Sequence, residues 1–167
     1  MLIIDQHRAH QRVLYEEFLR NITVKESVSQ QLLFPLVLNY SPVELGMLLQ
    51  LKEGLEHTGF VFGKMEGDTL EVMGIPTAIT ESEAPIVLEQ LISDLETEVP
   101  DAGFSQTDTL ARSMAKSMAV KAGEQLDAVS REHLVNSLFA CKEPTVSPSN
   151  RKTFITITGD DIEKQFQ

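Results

Sequence analysis

Ile4-Asp5-Gln6-His7-Arg8-Ala9-His10-Gln11-Arg12-Val13-Leu14-Tyr15-Glu16 is the stretch whose reading decides this fold. Leu2-Ile3-Ile4 is apolar and rich in β-branched residues, as a strand is. Asp5 then stands where a helix begins, with its carboxylate over the free amides of the first turn. Ala9, Val13, Leu14 and Phe18 recur at helical spacing, which predicts a helix to about Arg20. A strand that runs straight into a helix with a polar head is a place where metal ligands or catalytic groups sit.

Outward from this stretch, residues 28–38 favour extended chain, with Pro35 interrupting any ladder. Ser41-Pro42-Val43-Glu44 is a capping box with proline at the first helical position. The helix it opens carries Leu45, Leu48, Leu49, Leu51 and Leu55 and is predicted to end near Gly59. Residues 60–65 and 70–75 read as a hairpin across Glu66-Gly67-Asp68. A helix is predicted from Pro85 to about Glu98, then a linker-like break at Pro100-Asp101-Ala102-Gly103. A helix from Asp108 to Ala122, stopped by Gly123, carries the small residues Ala111, Ala115, Ala119 and Ala122. Ser130 starts another, to about Phe139; 144–150 is a loop, 154–158 a strand, and a short C-terminal helix follows. Strands and helices are segregated rather than alternating, so the predicted class is α+β.

The 167 residues suffice for one domain or two small subdomains. Composition is that of a soluble globular protein, and no apolar run is long enough to span a membrane. Strand residues follow Met1 at once, so the sequence is expected to be a piece of a longer protein. With a net charge of −11 the chain does not attract phosphate backbone by itself. Any DNA affinity is expected to be weak or to come through other domains. Cys141 is the one cysteine, which excludes an internal disulfide and fits a reducing, cytoplasmic setting.

The opening Asp5-Gln6-His7 with Ala9-His10-Gln11-Arg12-Val13-Leu14-Tyr15-Glu16 resembles the signature of the C-terminal domain of the mismatch repair protein MutL. Lys121-Ala122-Gly123 is similar to that family's middle segment, and residues 161–166 to its C-terminal helix. The resemblance covers roughly the whole chain, as a bacterial member. It implies two subdomains: 1–30 plus 117–167 for dimerization, and an inserted external, regulatory one at 31–116. It also implies a homodimer that works with other mismatch repair proteins and, in full length, an N-terminal ATPase. The strand at 154–157 and the small-residue helix at 108–122 are the elements expected near the dimer interface.

Many members of the family nick DNA with bound cations, which polarise phosphate and activate water. The resemblance places Asp5, His7 and Glu16 where the motif wants them. Gln11 stands in place of a glutamate, Ala115-Lys116-Ser117 in place of a cysteine-containing triplet, and Ser147-Pro148-Ser149-Asn150-Arg151-Lys152 in place of a Cys-Pro-His motif. An amide, an ammonium and neutral serines are poor ligands. The expectation is therefore a joining module with no cofactor and no nuclease of its own. The alternative is a Mn- or Zn-dependent endonuclease with a rearranged ligand set of His7, Glu16 and Cys141.

Gln30-Gln31-Leu32-Leu33-Phe34-Pro35 resembles the sliding-clamp-binding motif at this place in the family. Gln30, Leu33, Phe34 and Pro35 are the expected contacts with the clamp. The plainer reading is a buried strand leading into Leu36, Val37 and Leu38.

Overall fold

The computed structural model describes residues 1–97 and 105–166. The break expected at Pro100–Gly103 and the end of the helix expected at Glu98 lie outside the described residues. The elements are β1 (Leu2–Ile4), α1 (Gln6–Val24), β2 (Ser29–Asn39), α2 (Pro42–Glu56), β3 (Val61–Glu66), β4 (Thr69–Pro76), α3 (Ala84–Thr97), α4 (Gln106–Met118), α5 (Ala128–Ala140), β5 (Phe154–Thr156) and α6 (Gly159–Glu163). Among the described residues two antiparallel sheets form, one of β1 and β5, the other in the order β2-β4-β3. The class is α+β. Among the described residues no helix is long and apolar enough to cross a membrane.

Contacts divide the chain into two compact units, residues 1–16 with 119 onward, and residues 17–118. The divisions fall within α1 and after α4, where the sequence reading has 30/31 and 116/117. In the first unit, Ala9 of α1 packs against Leu134 and Leu138 of α5, with Ile4 and Phe154 of the strand pair closing over them. Ala9 is wholly buried because its small side chain lets α5 come close. In the second unit, Leu48 and Leu55 of α2, Leu88 and Leu91 of α3, and Leu110 and Met114 of α4 are fully buried. Each such side chain contributes about 1.5–3 kcal/mol by leaving water. At Gly54, where α2 meets α4, a Cβ would lie 2.5 Å from the Leu110 side chain, which would have to shift to admit one.

The capping box at Ser41 forms as its sequence predicts, Ser41 and Glu44 each accepting the other's amide. The turn of the β3–β4 hairpin is carried by Gly67 at φ 65°. Other boundaries differ from the sequence reading. α1 runs on to Val24 and closes with Lys25 in the left-handed region at φ 61°, a position that glycine or asparagine usually takes. α4 stops at Met118, not Ala122, and residues 122–123 lie in an exposed turn. α5 begins at Ala128, because Asp127 rather than Ser130 is its cap and accepts the Ser130 amide. β5 ends at Thr156, because Thr158 caps α6. The alanines at 111 and 115 are covered within their own unit, where α4 lies against α3, so they serve packing inside the chain and not a second chain.

Candidate functional site

At the head of α1, Asp5 is an N-cap. Its Oδ1 accepts the Arg8 amide at 3.0 Å, and its Oδ2 pairs with the Arg8 guanidinium at 3.2 Å. Two turns of α1 then close on one residue. The His7 Nδ1 lies 2.7 Å from the Val120 carbonyl, and the His10 Nδ1 lies 2.9 Å from the Val120 amide nitrogen. A carbonyl only accepts, so His7 carries its proton on Nδ1; an amide N–H only donates, so His10 is bare there. The remaining nitrogen of His7, Nε2, accepts from the Gln11 side-chain amide at 3.0 Å. Gln11 thus occupies the lone pair that a metal ion would require. Burial lowers the pKa of His10; His7 and His133 push the same way, against Glu124.

One turn further on, Glu16 accepts the amides of Lys142 at 2.8 Å and Glu143 at 3.2 Å, just past the end of α5. The buried Arg12 guanidinium holds this arrangement together. It donates to the Val146 carbonyl at 2.6 Å, pairs with Glu16 at 3.5 Å and Glu143 at 3.6 Å, and lies 5.3 Å from the Tyr15 ring centroid. Cys141 is near these groups. Burial first and the Glu16 carboxylate second push its thiol up to about 11, with Arg12 opposing, and it donates to the Ser137 carbonyl.

His7, Glu16 and Cys141 are each engaged by backbone or by a neighbour. Among the described residues no cluster of three or more His, Cys, Asp or Glu side chains is arranged to hold a metal ion. The His7 ring and the Glu16 carboxylate already hold protein partners, which a divalent cation would have to displace. The later motif positions are also occupied. Lys116 lies in the other unit, 3.3 Å from Asp94, which also accepts the Ser113 hydroxyl at 2.8 Å. Ser147 is buried and closes a tight loop with Arg151, its hydroxyl accepting the Arg151 amide at 3.3 Å and its amide donating to the Arg151 carbonyl at 2.7 Å. Asn150 takes the left-handed conformation within that loop, at φ 57°. The sequence reading missed the double hold on Val120 and the role of Glu16 as a loop anchor. The i, i+3, i+4 spacing of His7, His10 and Gln11 was the available signal.

The glutamine-rich stretch lies in β2. Gln30 pairs with Ile75 and Gln31 with Gly74; the ladder then breaks and resumes at Leu36, which pairs with Val72. Leu33 is 95% exposed and Phe34 80%. The buried-strand reading therefore fails at these two residues, while Leu36 and Leu38 keep to it in part.

The family model of the MutL C-terminal dimerisation domain matches residues 1–126. The chain is similar to proteins named DNA mismatch repair protein MutL. It is 57% identical to the one from Christiangramia forsetii and 56% to that from Flavobacterium psychrophilum, over 99% of this chain and 27% of each relative. It is 54% identical to the Flavobacterium johnsoniae protein, over 99% of this chain and 26% of that one. The chain spans about a quarter of the length of these relatives.

Proposed function

The chain belongs to the family of MutL C-terminal dimerisation domains, and from that premise we propose that its first unit joins it to a second copy. One observation carries this reading. In the β1–β5 pair, Ile4 and Phe154 lie opposite each other over the core, so the next pair, Ile3 and Ile155, points the other way. Ile3 is 44% and Ile155 46% exposed, side by side on the outer face of a sheet of two strands. A two-stranded sheet with an apolar outer face is marginal in water. A two-fold-related copy would cover it with the same residues.

Within a longer protein of this kind, the tie holds two chains at high effective concentration. Two N-terminal ATPase domains would then close around DNA as a clamp and relay mismatch recognition to other repair factors. The exposed stretch at Gln30, Leu33, Phe34 and Pro35 would contact the sliding clamp, and DNA affinity would reside elsewhere, as the charge of −11 favours. No nicking is assigned to this domain, because His7, Glu16 and Cys141 are engaged as described above. The double variant Ile3→Asp, Ile155→Asp tests the interface. It is expected to sediment at half the mass of the parent while keeping its far-UV circular dichroism. A parent-like mass would remove this face from the interface. Nicking of supercoiled plasmid with Mn²⁺ that disappears in His7→Ala would overturn the assignment of no nuclease.

A further inference from the structure

Five residue steps separate Gln31 from Leu36 on β2, yet their partners Gly74 and Val72 are two steps apart on β4. At about 3.4 Å per step, roughly 17 Å of chain is fitted over roughly 7 Å of partner strand. The surplus is residues 32–35, in which Leu32 stays half-buried while Leu33 and Phe34 are the most exposed large apolar side chains of β2. Met73 is the β4 residue with no β2 partner beneath the excursion, and it too is exposed. Both flanks are pinned. On one side Gln30 and Gln31 pair with β4; on the other Leu36, Val37, Leu38 and Asn39 do. Gly74 lets the strands close where the excursion begins. A Cβ there would meet the Ser29 hydroxyl at 2.6 Å and the Val61 side chain at 3.0 Å. Pro35, which has no N–H to leave unpaired, lies within the excursion.

We propose that the clamp-contacting stretch is a preformed bulge whose shape is set by β4, and that the partner takes it as it stands, without peeling β2 from the sheet. This rests on the reading of the stretch as a clamp contact. The physical consequence is that the backbone entropy of residues 32–35 has already been lost in folding, so binding does not lose it again. Gly74 is then a positioning residue for the contact, touching no part of the partner. A partner that captures an extended peptide would instead have to break the Gln31–Gly74 and Leu36–Val72 pairs first.

The test locks the sheet. Val37 and Glu71 pair across the strands beside the bulge, outside the contact residues. The variant Val37→Cys, Glu71→Cys is assayed against the purified bacterial sliding clamp by surface plasmon resonance, oxidised and reduced, beside a linear peptide of residues 29–38. The preformed bulge predicts equal affinity, within about twofold, with the cross-link closed or open, and a peptide at least about tenfold weaker than the domain. Loss of more than tenfold on oxidation would overturn the proposal, and so would a peptide as tight as the domain, which keeps the test open if the cross-link does not form. Phe34→Ala separates this from the underlying reading. Binding that survives Phe34→Ala, or a parent domain that does not bind at all, would reject the contact itself.

Discussion

Val120 is held through both its backbone groups by two histidine rings, and this makes the first unit sensitive to acid. His10 accepts the Val120 amide with Nδ1, which it can do only while that nitrogen is unprotonated. Burial lowers its pKa in the fold, whereas the unfolded chain regains a value near 6.5. Between 6.5 and the lowered folded value the unfolded state binds more protons than the folded one, so this stability is complete above pH 6.5 and is lost as pH falls from there through the folded value. Urea midpoints are expected to be lower at pH 5.5 than at 7.5. His10→Asn, whose amide oxygen can take the same N–H, is expected to flatten that difference; an unchanged slope would mean another group is responsible. Little of this was legible in the sequence. His7 and His10 lie three apart on one helix, a spacing that could face a metal, and nothing local reveals that their partner is a backbone more than a hundred positions away. The same holds for Glu16, which the resemblance offers as a ligand and which the chain after α5 turns out to engage through two amides.

At the scale of elements the sequence was most readable where the signals are local. The Ser41 capping box, the Gly67 turn and the apolar stripe of α2 depend on residues within a turn or two of one another, and all three form. Readings erred where tertiary contacts end an element. α4 has helix-forming residues beyond Met118, but Val120 gives its N–H and C=O to the rings of α1, so the helix cannot continue through it. In β2 the proline was legible as an interruption, but the pinning on both sides became visible only with β4 beside it. The clearest energetic test of an element lies in α5, which has few buried positions and relies on Leu134 and Leu138 against Ala9. Leu138→Ala is expected to cost about 2–5 kcal/mol in urea unfolding. A cost below about 1 kcal/mol would mean that α5 is not what closes this core.

For the whole molecule, charge and patterning divide the labour. The chain is acidic, its polar head residues at the start of α1 are engaged by its own backbone and side chains, and its exposed apolar groups include Ile3 and Ile155 on the β1–β5 face and Leu33 and Phe34 at the bulge of β2. That distribution suits a protein that binds other proteins better than one that cuts a polyanion. The α+β class was legible because segregation of strands and helices shows in residue order. The outward apolar pair Ile3 and Ile155 was legible only as part of strands, since which face is covered depends on α5. Equilibrium sedimentation of the unaltered chain at tens of micromolar addresses the joining role most directly: a mass twice the 18.6 kDa of the chain is predicted, and a single species at 18.6 kDa would contradict it.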